Sequence, residues 1–237
     1  TAAELPVSFT AYRRQQYRWA RGGLECAIRY IPTIWKSKFS LARKFQATLH
    51  LTGYALHLLS LSLIFMYPLL LLFAVQYPGL LEPVGVGLIM NVLVFAPAFY
   101  FIVAQQLLRR RWLLSLPIIF LMSVFASGLA VNTLSAIIQI LQHRTIPFER
   151  TPKYGITHRS QHWDGSRYQA KVDWVIFFEL TFAVLNLWTT WFGWHTGHYL
   201  IMIYAFLFAV GLFFISISTL VQSFSPRLKP DPLPATD

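Results

Sequence analysis

The chain of 237 residues is dominated by apolar side chains: 56% are hydrophobic, 12% are charged and the mean hydropathy is +0.51. These values lie outside the usual range of a soluble domain and identify a membrane protein. The net charge of +11 comes from basic clusters that flank apolar runs, so it indicates membrane topology and gives no reason to expect a nucleic-acid partner. The single cysteine, Cys26, excludes an intrachain disulfide.

The N-terminal part of the chain predicts helices at the membrane interface. A cap at Ser8 or Thr10 begins a first helix, which is expected to end at the glycine pair Gly22-Gly23. From there to residue 48, apolar and basic residues alternate as in helices that lie in the interface plane, with a break expected at Pro32 and again at 37–40. The alternative is a solvated basic linker, which would leave aromatic side chains in water.

Three residues of the first helix form a candidate binding face. Gln15, Arg18 and Trp19 lie at i, i+3 and i+4 and therefore share one side of the helix. An arginine fork can hold a diphosphate through charge-assisted hydrogen bonds, and an indole offers a flat apolar platform for a sugar ring. The alternative is a basic amphipathic helix on anionic lipid, with the same tryptophan among the headgroups.

Residues 49–237 predict a polytopic all-α bundle with about four spans, because apolar runs alternate with basic loops. The predicted spans are 49–76, 84–108, 174–194 and 199–224. The run 112–141 would be about 45 Å long, too long for one span of about 30 Å and too short for two. Since both of its flanks are basic, we expect a re-entrant or interface segment starting near Ala126. One tilted span is the alternative.

The basic clusters predict which segments share the cytoplasmic side. These are the N-terminus, the polar loop 142–173 and the tail 225–237, which is expected to be disordered.

The span 174–194 carries side chains that could line a passage. Glu179 is an intramembrane carboxylate, which usually faces a cavity or a partner, although its position near the cytoplasmic end also allows it to snorkel to the interface. Trp188 and Trp191 belong to a series at i+3 that continues to Trp194. An aromatic belt at the membrane surface explains this series, and a channel wall that stacks on sugar rings is the alternative.

Two motifs resemble membrane-embedded family 2 glycosyltransferases. Gln15-Gln16-x-Arg18-Trp19-x-x-Gly22 is similar to the Q-x-x-R-W signature of that family. The segment Phe148-Glu149-Arg150-Thr151-Pro152-Lys153-Tyr154-Gly155 resembles its gating-loop motif. The pattern is nearest to cellulose-synthase-like A, or glucomannan synthase, and related bacterial branches, since Arg150 and Pro152 depart from the cellulose-synthase version.

The resemblance implies roles for the residues of the first motif. Trp19 would stack on the terminal sugar of the acceptor, while Gln15 and Arg18 would sit against the donor's diphosphate. The catalytic carboxylates, and the Mg²⁺ or Mn²⁺ ion that they hold, would belong to an α/β domain upstream of this chain. We therefore expect a C-terminal fragment, with the end of the catalytic domain and the interface helices in 1–48, no catalytic residue, no metal site and no activity alone.

The second motif predicts a lid over the donor. Thr151 can donate a hydroxyl and Lys153 an ammonium to a phosphate, and Phe148 can anchor the loop on an apolar surface. A loop of this kind could close over a nucleotide sugar and exclude water. The alternative is a basic linker held by lipid headgroups.

The function implied is transfer of a hexose from UDP- or GDP-hexose to a growing β-linked glycan, with passage of the product across the membrane. A non-processive transferase with a lipid acceptor is one alternative. A non-enzymatic transporter or channel subunit is another, but it predicts paired intramembrane charges or repeated halves.

Overall fold

The computed structural model describes residues 6, 8–78, 96–143 and 174–224, and every regular element within these ranges is helical. The elements are, in chain order, α1 (Phe9–Lys36), α2 (Leu41–Thr52), a 3₁₀ turn (Gly53–Ala55), α3 (Leu56–Gln76), α4 (Ala96–Leu107), α5 (Trp112–Ser127), α6 (Ala130–Leu141), α7 (Trp174–His195) and α8 (Tyr199–Phe224).

Three helical segments of the described ranges are long and apolar enough to cross a membrane. They are α7, α8 and Leu41–Gln76, in which the 3₁₀ turn joins α2 to α3. The bent pair formed by α5 and α6 adds a fourth if it is taken as one span. Many large apolar side chains on these helices are exposed, as a lipid-facing surface requires. The predicted all-α membrane bundle is confirmed.

Helix α1 is longer than the sequence predicted. It continues through Gly22, Gly23 and Pro32, so the predicted end at the glycine pair is wrong. A glycine ends a helix when it takes the left-handed conformation, and both of these keep the helical one. A Cβ at Gly23 would meet the carbonyl oxygen of Leu51 in α2 at 3.4 Å, an ordinary van der Waals contact, so the packing of α1 on α2 does not require a glycine here.

Both ends of α1 are capped by serines. Ser8 Oγ accepts a hydrogen bond of 3.1 Å from the Ala11 amide, which confirms one of the two predicted caps. At the other end Ser37 Oγ donates to the Ile34 carbonyl at 2.6 Å, and the chain breaks before α2 begins. The predicted break at 37–40 is therefore confirmed, and the one at Pro32 is wrong.

The core lies where α3, α6, α7 and α8 meet. Its centre contains Ile64, Leu212 and Ala183, all fully buried, and the Tyr67 ring stacks on the Tyr204 ring with centroids 5.6 Å apart. Helices α7 and α8 form an antiparallel hairpin closed at Gly197, whose φ of +76° is the left-handed conformation that glycine adopts without strain.

The stretch 112–141 forms two helices whose axes differ by 41°. The bend falls at Gly128-Leu129, close to the predicted start of a separate segment near Ala126. The first half of helix α6 is buried on all sides, with Asn132, Thr133 and Ser135 among its buried residues, and α6 packs against α1 and α3. The predicted interface or re-entrant segment stays a prediction, because a broken span would contain the same bend.

Some predicted features lie outside the described residues. These are most of the loop 142–173, the tail 225–237 and the first half of the expected span 84–108, of which α4 is the described part. The gating-loop residues Phe148, Thr151 and Lys153 belong to this group.

Candidate functional site

Three residues of the first motif, Gln15, Arg18 and Trp19, lie on the side of α1 that is turned away from the bundle. Arg13, Ala20 and Ala27 recur at seven-residue steps, are buried, and define the side that packs inward. With 3.6 residues per turn, Gln15, Arg18 and Trp19 fall on the other side. The structure therefore brings the three together on one outer face, as their spacing predicted.

The outer face is accessible. The Trp19 side chain is 53% exposed, while Gln15 and Arg18 are half-buried. A Cβ added at Gly22, the next motif position on this face, would meet no atom within 4 Å in the part of the chain that the structure describes. The indole therefore presents a free apolar surface beside a guanidinium and an amide.

A buried ion pair fastens α1 to the α7–α8 hairpin. Arg13 Nη1 donates to Glu179 Oε2 at 2.8 Å and to Thr219 Oγ1 at 3.4 Å. Ser216 Oγ donates to the same carboxylate oxygen at 3.0 Å. The Arg13 side chain is 8% exposed and the Glu179 side chain 0%, so both charges are removed from water and depend on one another.

Neutral hydrogen bonds continue this attachment along the first half of α1. Its first amide, on Phe9, donates to Gln222 Oε1 at 2.7 Å, and the Arg13 carbonyl accepts from Asn132 Nδ2 at 3.1 Å. Two tyrosine pairs join α1 to α6 and to the turn before α3: Tyr17–Gln139 at 2.6 Å and Tyr54–Gln16 at 2.9 Å. Helix α1, which carries the outer face, is therefore hydrogen-bonded to four other elements: the 3₁₀ turn, α6, α7 and α8.

Partial burial raises the pKa of the Tyr17 phenol, because burial disfavours the phenolate. A tyrosine is protonated at neutral pH with or without this shift, and the hydroxyl donates to Gln139. The hydrogen bond from Arg21 Nε to Glu25 Oε1, 2.7 Å long, raises the pKa of Arg21, whose guanidinium is cationic at physiological pH in any case.

Glu179 is fully buried against Arg13 and Ser216, so of the two surroundings expected for an intramembrane carboxylate, a cavity or a partner, the structure shows a partner. To line a glycan passage it would have to leave the ion pair. That role stays a prediction.

The tryptophans of α7 face outward. Trp188 and Trp191 are 40% and 57% exposed, on the side away from the buried residues Ala183, Asn186 and Thr189. This placement favours an aromatic belt, and a role in lining a passage stays a prediction.

Sequence reasoning missed the partners of Glu179. An acidic residue in a span requires a compensating cation, and Arg13 is one of nine basic residues between 13 and 44, so spacing alone could not single it out. Ser216 and Thr219 stand at i and i+3 in α8, but Ser218, Gln222 and Ser223 are polar residues of the same helix, so the sequence alone did not single the pair out.

The chain is an all-α integral membrane bundle, because apolar helices long enough to span a membrane surround a buried network of polar side chains. No family model matches the sequence, and no solved structure matches the fold. In the described ranges no three His, Cys, Asp or Glu side chains converge as metal ligands.

Proposed function

We propose that this chain is the membrane part of an inverting family 2 glycosyltransferase. The complete enzyme transfers a hexose from a UDP- or GDP-hexose on the cytoplasmic face to a growing β-linked glycan and conducts the product across the membrane. One observation carries the proposal: Gln15, Arg18 and Trp19 share an accessible face on a helix that is fixed to the spans.

Each residue of this face has a chemical task in the proposal. Arg18 donates charge-assisted hydrogen bonds to the diphosphate and stabilises the negative charge that develops on it as the nucleotide leaves. Gln15 supplies an amide beside it. Trp19 stacks on the terminal acceptor sugar and orients its hydroxyl toward the donor. The base that removes the hydroxyl proton is assigned, by the resemblance, to the upstream domain.

The gating loop completes the donor site in this proposal. Lys153 and Thr151 contact phosphate oxygens when the loop closes, and Phe148 holds the closed loop on an apolar surface. Closure excludes water from the nucleotide sugar and so protects it from hydrolysis.

The test replaces Trp19 in the full-length protein by Ala and by Phe. Removing the platform should lower turnover at least about tenfold, the effect of about 1.4 kcal/mol of lost transition-state stabilisation, while Phe should retain part of the rate. Transfer is measured with a panel of UDP- and GDP-hexoses and normalised to the amount of folded protein.

Trp35→Ala is the matched control, because Trp35 is a second exposed tryptophan on the same helix. Its indole is engaged locally, with Nε1 donating to Thr48 Oγ1 at 3.0 Å. If the outer face is only a lipid anchor, both alanine variants will leave turnover per folded enzyme unchanged. That outcome contradicts the proposal.

Product size separates the two enzymatic alternatives. Long polymer made by the wild-type enzyme excludes a transferase that adds one sugar to a lipid. A product of one added sugar that partitions with lipid would replace the polymerase proposal.

A further inference from the structure

The ion pair between Arg13 and Glu179 lies next to the proposed site. Arg13 precedes Gln15 by two residues and Trp19 by six, which is about 3 Å and about 9 Å along the helix at 1.5 Å per residue. Any displacement of α1 at Arg13 therefore displaces the outer face as well.

The ion pair restricts movement of α1 because both of its charges are buried. Sliding α1 by one turn, about 5.4 Å, would separate a guanidinium and a carboxylate that are now 2.8 Å apart and leave each without water. The carboxylate is itself fixed by Ser216, and Thr219 receives the second bond from the same guanidinium nitrogen. Position and rotation of α1 relative to α7 and α8 are consequently set together.

We infer that Arg13 and Glu179 are positioning residues, which hold α1, and with it the outer face, in a fixed position relative to the α7–α8 hairpin. This inference rests on the proposed function. Neither residue touches substrate. Their contribution is a fixed placement of Trp19, and a displacement of about 1 Å in such a group can cost about a hundredfold in rate.

The experiment compares Glu179→Gln with Glu25→Gln in the full-length enzyme. Both substitutions remove the carboxylate partner of an α1 arginine, but Glu25 forms an exposed i,i+4 pair whose side chain is 50% accessible. We expect Glu179→Gln to lower kcat by tenfold or more with less than a threefold change in KM for the nucleotide sugar, because the binding residues are intact and only their placement changes. Glu25→Gln should leave both constants unchanged.

Placement of α1 is measured independently of activity. Spin labels on the native Cys26 of α1 and on Phe224→Cys at the end of α8, with any other cysteines replaced, report the distance between the two helices. Glu179→Gln should broaden or shift this distance, and the control should not. The charge-swapped protein, with Arg13→Glu and Glu179→Arg, should restore the distance and recover part of kcat. It also tests the inference if Glu179→Gln alone does not fold.

The outcomes distinguish a failure of the positioning inference from a failure of the proposed function. An unchanged distance in Glu179→Gln overturns the inference, and so does a charge-swapped protein that recovers neither distance nor rate. A changed distance with unchanged turnover refutes the placement of Trp19 at the acceptor, and with it the positioning role. A wild-type enzyme that transfers no sugar refutes the proposed function, while the distance still reports whether the pair holds α1.

Discussion

Replacing Gly211 by alanine should weaken the crossing between α5 and α8. A Cβ at this position would lie 2.5 Å from Ser127 Oγ and closer still to the Val124 carbonyl oxygen. At Gly128, across the same contact, a Cβ would lie 2.7 Å from Ile215 Cγ1 and 2.8 Å from the Gly211 carbonyl carbon. Ordinary carbon contacts are about 3.5–4.0 Å, so the helices would have to separate by about 1 Å.

The change in unfolding free energy caused by Gly211→Ala combines two opposing contributions. Overpacking of this kind typically costs about 1–3 kcal/mol, because a gap of about 1 Å forfeits up to about half of each contact around it. Replacing a helical glycine by alanine gains about 0.8–1.0 kcal/mol of intrinsic propensity. Gly22→Ala shares that gain but meets no atom within 4 Å, so the difference in unfolding free energy between the two variants isolates the overlap.

The assay is reversible unfolding of the full-length protein in mixed micelles, titrated with sodium dodecyl sulfate and followed by tryptophan fluorescence. We expect Gly211→Ala to be less stable than Gly22→Ala by about 1–3 kcal/mol. Adding Gly128→Ala should cost less than the sum of the single effects, because both glycines serve one crossing. Equal stabilities for Gly211→Ala and Gly22→Ala would show that α5 and α8 do not meet as described.

Two further predictions concern the ion pair and the topology. Glu179→Gln should destabilise the protein by about 3–5 kcal/mol in the same assay, because it leaves the Arg13 charge buried without its partner. Adding Arg13→Met should recover much of this loss, and strictly additive effects would contradict the pairing. For topology, a cysteine at Ser37 should react with an impermeant maleimide only from the cytoplasmic face, and one at Thr196 only from the opposite face. Labelling of both from one side would contradict the predicted orientation.

The sequence correctly predicted those helices and groupings that depend only on residues near one another in the chain. Uninterrupted apolar runs predicted α7 and α8 and the short break between them, because span length depends on neighbouring residues. The grouping of Gln15, Arg18 and Trp19 required only a helical register.

Elements that depend on distant partners were predicted less well. The sequence predicts a helix end at the glycine pair in α1, but a glycine ends a helix only when it takes the left-handed conformation in the folded protein, and both of these keep the helical one. Glu179 was read as a passage or interface residue because its cation lies 166 positions away in the chain.

The sequence by itself determined that this is a helical membrane protein and which residues can share a helix face, since hydropathy and periodicity act over a few turns of chain. Only the tertiary structure decided which face of α1 turns outward and which arginine is buried. Those choices follow from burying two opposite charges against each other, a free energy that exists only once α1, α7 and α8 have come together.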